Sequence, residues 1–264
     1  MGSDVAALGP AAVRAEIRDR RFRGTTAGLA PGHAQANLVV LGRDWADEFR
    51  EFCLANPRPC PLLDVTAPGS PRPQRVAPNA DVRTDIPGYR LYRGSAFERL
   101  DDLRGVWRDD LVAFLIGCSF SFERALLANG IPVRHIALGR TVPMYISTLE
   151  CAATARLRGP IVVSMRPIAT HDVDRVREIC ARYPGSHGEP VHVDDPSAIG
   201  IRDLGRPDFG DAVPVGEREV AVFWGCGVTP QVVLERSGCR WFASHEPGRM
   251  FVTDREETIA PLSG

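Results

Sequence analysis

A cysteine that follows a glycine occurs at the same place in both copies of an internal repeat. Residues 112–130 align without gaps on residues 220–238, with six of the nineteen positions identical, and Cys118 falls on Cys226. Each Gly-Cys pair follows an apolar run and precedes a residue that can begin a helix. A thiol at a helix N-terminus lies near unpaired backbone N–H groups, which stabilise a thiolate and bind carboxylates. The repeat therefore indicates a site at which one thiol is a base or nucleophile, unless both cysteines are small buried residues in tight turns.

Polar side chains around these turns could bind or protonate a substrate. Histidine is the commonest general acid/base, arginine binds carboxylates with two donors, and hydroxyl and amide groups orient a ligand. An arginine could equally pair with the acidic stretch 194–211, and a histidine could be a hydrogen-bonded residue at a strand end. The catalytic candidates are Cys118, Cys226, His245 and Glu123, and the substrate-binding candidates are Ser119, Ser121, Thr229, Arg140, Arg166, Arg249, Gln35, Asn37, Asp208 and Asp211.

Metal and nucleotide sites have little support in the sequence. Cys118, Cys226, His135 and His245 have the residue types of a tetrahedral zinc site, but their spacing is not that of a short zinc motif. The acidic stretch 194–211 lacks the pattern of a calcium-binding loop. Neither GxGxxG nor GxxxxGK[ST] occurs in the chain. We expect no metal and no cofactor.

Composition and charge limit the partners. The formal net charge of −1 gives no electrostatic reason to bind nucleic acid. No apolar run approaches the ~20 residues of a membrane span, and the first residues lack the order of a signal peptide. Seven cysteines without a CxxC motif favour reduced thiols and a cytoplasmic location. We expect a small-molecule carboxylate as the partner, no nucleic acid and no membrane, and leave a homo-oligomer open.

Alternating strand and helix patterns predict an α/β fold with a three-layer core, which contains the duplicated strand–Gly-Cys turn–helix unit. A helix is predicted over 10–20 and a β–α–β unit over 38–65, with Asp44 as the N-cap of the helix over 43–57. We interpret 148–196 as a smaller α+β subdomain inserted into a core formed by 1–147 and 197–264. The proline-rich segment 56–88 should be a long loop that is functional or wraps the surface.

Several motifs in the same order resemble the bacterial "putative hydro-lyase" family, which is related to the amino-terminal region of the mitochondrial D-glutamate cyclase. They are GCSFSFE (117–123), IPVRHI (131–136), VPMY (142–145), GPIVVSMRPI (159–168), IGIRDLGRPDFGD (199–211), VFWGCGVTPQ (222–231) and PGRMFVTD (247–254), with TTAGLAPGHAQANLVVLG and NPRPCPLL nearer the N-terminus. The resemblance implies an α/β core with a smaller α+β domain. Near the C-terminus the family pattern is closer to THAPGHMFVTD, whereas this chain has Ser244, Glu246 and Arg249. If the second histidine of that pattern is catalytic in relatives, the chain has altered chemistry or specificity.

Three functions remain open at this point. The resemblance implies a cofactor-independent lyase, a hydro-lyase that acts on a small carboxylate or amino-acid-like substrate. Two thiols facing each other across a pseudo-two-fold axis would instead suit an amino-acid racemase, epimerase or cyclase. The third alternative is a non-catalytic protein that binds a small molecule.

Overall fold

A computed structural model describes residues 5–94 and 96–263. The α-helices are α1 (Pro10–Arg18), α2 (Arg43–Ala55), α3 (Phe120–Ala128), α4 (Arg134–Ala137), α5 (Val173–Ala181) and α6 (Thr229–Arg236). The strands are β1 (His33–Gly42), β2 (Leu62–Val65), β3 (Tyr89–Arg93), β4 (Ala96–Leu100), β5 (Leu111–Gly117), β6 (Met144–Glu150), β7 (Pro160–Ala169), β8 (His192–Val193), β9 (Glu219–Gly225), β10 (Trp241–His245) and β11 (Phe251–Glu256).

The strands form two sheets. The larger has the order β2-β5-β1-β10-β3-β4, with β11 also paired to β1, and the smaller has the order β6-β7-β9-β8. Every pair of neighbouring strands is antiparallel. The chain combines six α-helices with these antiparallel sheets among its described residues, which confirms the predicted α/β class. The domain boundaries stay a prediction, and the smaller sheet takes in β9 from outside the segment 148–196.

The sheet registers relate the two copies of the repeat. Gly117 of β5 and Phe251 of β11 both pair with Ala36 of β1. In the repeat Gly117 aligns with Gly225, and downstream of it the segment MYIS (144–147) matches MFVT (250–253), so that Tyr145 aligns with Phe251. Gly225 and Tyr145 likewise both pair with one residue of β7, Val163. The strand that follows each repeated helix therefore pairs with the sheet of the other copy. This exchange supports the predicted duplication, and it brings the two Gly-Cys turns to the junction of the sheets.

The larger sheet is covered on both faces. One face packs against the apolar side of α2, through Phe49 and Phe52, and against Val233 and Leu234 of α6. The other face is covered by the irregular segment 66–88, whose apolar side chains (Val76, Ala77, Ala80, Val82 and Ile86) are buried. The proline-rich segment thus wraps the sheet, as one of the two predicted alternatives states, and it forms the outer layer on this face.

Local details confirm some predicted boundaries and correct others. Gly130 and Gly238 have φ angles of 75° and 77°, so both repeated helices end at a left-handed glycine, as predicted. The prediction that Asp44 caps α2 is wrong, because the helix begins at Arg43 and its N-cap residue is Gly42. β1 begins at His33, five residues before the predicted start at residue 38. This earlier start positions several polar side chains of the candidate site.

Candidate functional site

Both Gly-Cys turns hold a thiol against the first turn of a helix. The backbone N–H of Phe120 donates a hydrogen bond to the Cys118 thiol, and the N–H of Val228 donates to Cys226. Cys118 is buried and Cys226 is partly exposed, with its Sγ 3.4 Å from Sδ of Met144. The sequence therefore predicts correctly that both thiols lie at helix N-termini.

The glycine of each turn allows a second stretch of backbone to approach. A Cβ atom on Gly117 would overlap the carbonyl group of Gly185, and one on Gly225 would lie 2.9 Å from Cα of Pro59. Neither glycine has a positive φ angle, so the requirement is for space rather than for a left-handed backbone. Pro59 belongs to the NPRPCP segment, which thus packs directly on the second turn.

The environment of both thiols keeps them protonated at neutral pH. Burial raises the pKa of Cys118 to about 12 and that of Cys226 to about 11, although the backbone N–H donors and the Arg166 guanidinium lower both values. The Glu123 carboxylate and the neighbouring Cys226 also contribute to the raised pKa of Cys118. Because the thiolate is the reactive form, neither thiol is an activated base or nucleophile in this arrangement.

Arg166 lies at the centre of a buried polar network between the turns. Its Nε is 3.0 Å from Oε1 of Glu123, and Nη2 also contacts this oxygen. Nη1 is 2.9 Å from the Ser164 hydroxyl and Nη2 is 3.0 Å from the Ser119 hydroxyl. The rings of Phe122 and Trp224, which stack on each other, both contact the guanidinium, which has no exposed surface. In this arrangement Arg166 and Ser119 hold Glu123 rather than a substrate.

Glu123 is ionised at neutral pH despite its burial. Burial alone would raise its pKa, but the charge of Arg166 and the interaction with His135 outweigh it and lower the pKa to about 2. Nε2 of His135 lies 3.5 Å from Oε1 of Glu123. The network thus presents a fixed carboxylate at the first turn of α3.

Asn37 connects the two turns. Its Nδ2 donates to the carbonyl groups of Ile116 and Gly117, at 3.2 and 2.8 Å. A Cβ atom on Gly227, in the second turn, would overlap the same side-chain amide. The side chain is buried, so it fixes the spacing of the turns.

A cavity of about 260 Å³ opens beside the first turn, between α3, the start of β1 and the loop that precedes β1. It is lined by Ala27, Gly28, Leu29, Pro31, His33, Gln35, Phe120, Ser121, Glu123, Arg124, Leu127, Ile136 and Glu257. Three of the predicted site residues, Gln35, Ser121 and Glu123, are therefore brought together here.

Three buried polar atoms of this lining have no hydrogen-bond partner within residues 5–94 and 96–263. They are Nδ1 of His33, Oε1 of Gln35 and the hydroxyl oxygen of Ser121. The amide nitrogen of Gln35 is held by the carbonyl groups of Thr26 and Leu29, at 2.8 and 3.2 Å, which fixes the amide orientation. Buried polar atoms without partners are rare in folded proteins because each costs about 1–3 kcal/mol. Because the three residues that carry these atoms all line one cavity, this cavity is the candidate site for a polar ligand.

Two other predicted residues are engaged by backbone groups. Nδ1 of His245 accepts from the N–H of Leu38 at 3.1 Å, and burial lowers the His245 pKa to about 4. The Thr229 hydroxyl accepts from the N–H of Val162 at 3.0 Å. Neither side chain is among those that line the cavity.

The predicted residues around the start of β6 stabilise an exposed connection. Arg140 donates to the backbone carbonyl that follows Asp211, at 2.6 Å. Asp211 and Asp208 accept from the N–H groups of Thr141 and Ile146, at 2.8 and 2.7 Å. These three side chains are exposed and do not line the cavity.

Arg249 lies in a separate open pocket. Its Nη1 is 3.5 Å from Oε2 of Glu246, and Glu246 also accepts from Nε of Arg99 at 2.7 Å. Two of the three departures from the family pattern, Glu246 and Arg249, therefore contact each other as an ion pair.

His33, Arg124 and Glu257 line the cavity and are absent from the predicted site residues. The alternation HAQAN carries the signal for His33, because polar residues two apart share one face of a strand with Gln35 and Asn37. Arg124 and Glu257 carry no local signal, since their meeting depends on how β11 pairs with β1.

Among residues 5–94 and 96–263, no group of three or more His, Cys, Asp or Glu side chains is arranged to hold a metal ion. Within the same residues, none of the helices has the length and apolar character that crossing a membrane requires.

Comparisons with known proteins identify the family. Residues 112–254 match the D-glutamate cyclase family. The chain is 55% identical to the "putative hydro-lyase" of Rubrobacter xylanophilus, over 95% of this chain and 97% of that protein. It is 54% identical to the protein of the same name from Stutzerimonas stutzeri, over 97% of both chains, and 51% identical to "putative hydro-lyase YcsI" of Bacillus subtilis, over 97% of this chain and all of the relative.

Among solved structures, a nitrogen repressor-like protein from Methanococcus jannaschii covers 87% of this chain at 11% identity, with a TM-score of 0.38, too low to support an inference. The relatives of known sequence, by contrast, match along almost the whole chain. This chain is thus closely similar to the bacterial relatives that carry the hydro-lyase name. The protein is therefore a member of the D-glutamate cyclase family.

Proposed function

We propose that this protein is a lyase that removes water from a small, amino-acid-like carboxylate bound in the cavity beside α3. The observation that carries the proposal is the convergence of His33, Gln35 and Ser121 on that cavity, each with a buried polar atom that no described residue satisfies. The names of the relatives support the reaction class. The family name supports an amino acid with an acidic side chain as the substrate.

The size of the cavity suits a small metabolite. Its volume of about 260 Å³ lies below the ~300–1,000 Å³ of pockets for drug-sized ligands. Its lining combines apolar side chains with a few polar groups, the usual composition of a site that orients one small ligand.

Removal of water requires a base for the departing proton, an acid for the departing oxygen and donors for the developing negative charge. His33 can take the departing proton at Nδ1 and then return it to the departing oxygen, so that one side chain serves in turn as base and acid and the oxygen leaves as water. The hydroxyl group of Ser121 can donate to a substrate oxygen, and the first turn of α3 adds the positive end of its helix dipole. Oε1 of Gln35 and the ionised Glu123 can accept from a substrate amino group.

The alternative with two thiols as the acid and base has less physical support. Both thiols have raised pKa values, about 12 for Cys118 and about 11 for Cys226, so two-sided proton transfer would begin from unreactive thiols. Separate Cys118→Ser and Cys226→Ser variants distinguish the mechanisms. A two-thiol enzyme loses turnover with either change, whereas the site proposed here retains it with both.

The proposal is tested by incubating the protein with 2- and 3-hydroxycarboxylates, with and without an amino group, and searching by mass spectrometry for products that have lost one water. D- and L-glutamate, which have no hydroxyl group to eliminate, are run beside them, and loss of water from glutamate alone would indicate the cyclase alternative. We expect such a product from a hydroxycarboxylate, and we expect His33→Gln and Ser121→Ala to lower kcat by about 10²-fold or more. Arg93→Gln, on the exposed β3–β4 hairpin, is the control. Turnover that survives both cavity substitutions would show that the reaction occurs elsewhere.

A further inference from the structure

An ion pair stands at the cavity lining. Nε of Arg124 lies 3.0 and 3.1 Å from the two carboxylate oxygens of Glu257, and Nη2 lies 2.8 Å from Oε2. Arg124 belongs to α3 and Glu257 follows β11, and both side chains line the cavity. The pair joins the first repeat helix to the C-terminal segment.

The geometry of this pair is that of an arginine bound to a carboxylate ligand. Two guanidinium nitrogens face two carboxylate oxygens, the arrangement by which arginine recognises planar anions. Arg124 is the one arginine among the described residues that line the cavity. The other nearby guanidinium, that of Arg166, is buried and engaged by Glu123 and two serine hydroxyls.

We propose that Arg124 is the residue that binds the substrate's carboxylate, and that Glu257 occupies this position when the cavity is empty. The proposal rests on the proposed function, because it assigns the carboxylate of the same small molecule. It makes Arg124 a specificity-determining residue and Glu257 an internal competitor of the ligand.

The exposure of Arg124 makes the exchange feasible. The Arg124 side chain is 49% exposed, so a carboxylate ligand can reach its guanidinium from solvent, whereas the Glu257 side chain is 11% exposed and must turn outward to release it. Release of Glu257 also leaves its backbone anchored, because its N–H donates to the carbonyl of Gly32 at 3.1 Å. The side chain can therefore turn away while the C-terminal segment stays attached to the loop beside the cavity.

The remainder of the lining fits this assignment. Leu127 and Ile136 also line the cavity with exposed apolar side chains, 45% and 47% exposed, and Leu127 follows Arg124 by three residues on the same face of α3. A carboxylate anchored at Arg124 would direct the rest of a small molecule past these residues toward Ser121 and Gln35. The anion would then lie outside and the reacting carbon inside, near His33.

The test is calorimetric titration of the full-length protein with glutarate, with its neutral diamide glutaramide as the uncharged counterpart. We expect Arg124→Gln to weaken glutarate binding by about tenfold to a hundredfold, the range for hydrogen bonds to charged groups. Arg124→Lys keeps the positive charge but loses the paired N–H donors of the guanidinium, so its affinity for glutarate should lie between that of Arg124→Gln and that of the wild type. Glu257→Gln should strengthen binding by about two- to fivefold, because it removes the competitor. Glutaramide affinity should not change with any of these substitutions.

The matched control is the pair Arg93 and Glu98 on the β3–β4 hairpin, which is exposed and outside the cavity. Arg93→Gln changes the net charge by the same amount as Arg124→Gln, and Glu98→Gln by the same amount as Glu257→Gln. Both control substitutions should leave the affinity for glutarate unchanged. Equal binding by the wild type and Arg124→Gln would overturn the proposal, as would weaker binding by Glu257→Gln or no glutarate binding by the wild type. Since binding is measured without turnover, a protein that binds glutarate through Arg124 but releases no water would refute the proposed function alone.

Discussion

Replacing Arg166 with methionine should turn Glu123 from a stabilising ionised group into a buried carboxyl that keeps only the Ser119 hydroxyl and His135 as partners. The pKa of Glu123 is lowered from 4.5 to about 2 because Arg166 and His135 outweigh the effect of burial. One pKa unit corresponds to about 1.4 kcal/mol, so the ionised state contributes roughly 3 kcal/mol at neutral pH. Removing one partner of a buried ion pair typically costs about 3–5 kcal/mol, and we expect Arg166→Met to fall in this range.

The pH dependence of this loss has a definite sign. In the wild type the lowered pKa means that the contribution of Glu123 is fully present above about pH 4.5 and is lost as the pH falls toward 2. In Arg166→Met, burial without the cation raises the pKa of Glu123, so the folded protein holds this proton more tightly than the unfolded chain. The stability deficit of the variant should therefore be smallest in acid and should grow as the pH rises past the unfolded value.

Urea unfolding, followed by tryptophan fluorescence at several values between about pH 4 and pH 7, measures this difference. The double variant Arg166→Met/Glu123→Gln should recover part of the loss, because no charge is then left unpaired. Arg93→Met, at an exposed position, is the control. A deficit that is constant with pH, or that equals the sum of the single effects in the double variant, would show that the two groups are not coupled.

Three further predictions concern the repeat and its turns. Ser121→Ala should raise the free energy of unfolding of the ligand-free protein by up to about 1–3 kcal/mol, because it removes a buried hydroxyl that has no partner among the described residues, whereas Thr229→Val should lower it by about 1–3 kcal/mol in the same urea titration; equal losses would contradict the assignment of the cavity. Iodoacetamide should alkylate Cys226 before Cys118, at a rate that rises until the pH approaches about 11, and a plateau near neutral pH would contradict the raised pKa values. Gly117→Ala should destabilise the protein by about 1–3 kcal/mol, because a Cβ overlaps a facing backbone carbonyl, and an unchanged Tm would refute this reason.

Much of the fold follows from local patterns in the sequence. Each repeat copy forms the predicted strand, Gly-Cys turn and helix followed by a left-handed glycine, since an apolar run, a tight turn and a terminating glycine act locally. The start of β1 was missed because His33, Gln35 and Asn37 are polar and follow a glycine-rich loop. Their alternation with alanines is a strand pattern that a search for apolar runs overlooks.

The candidate site was only partly predictable, and the reason is long-range pairing. Ser121, Glu123 and Gln35 belong to recognisable motifs and do line the cavity. The roles of the arginines could not be derived, because they depend on which partner each side chain meets in the folded chain. Arg166 is enclosed by Glu123 and aromatic rings, a fact that only the contact between the smaller sheet and α3 determines.

The duplication explains why one copy of the repeat has an open site beside its helix. In the first copy Ala36 of β1 pairs with the turn glycine Gly117, and in the second copy Val163 of β7 pairs with Gly225. The residues one position earlier, Gln35 and Val162, therefore correspond to each other, and Val162 is apolar. Beside Val162, the hydroxyl of Thr229 is hydrogen-bonded to the Val162 backbone, whereas the corresponding hydroxyl of Ser121 is unpartnered among the described residues. The hydroxyl group at this position of the repeat thus stabilises the fold in the second copy, as Thr229, and is free for a ligand in the first copy, as Ser121. A hydroxyl that already has its partner contributes to folding, and one that lacks a partner costs stability until a ligand supplies it. This difference, rather than the pair of thiols that the two copies share, is what supports our proposal that the reaction takes place in the cavity beside α3.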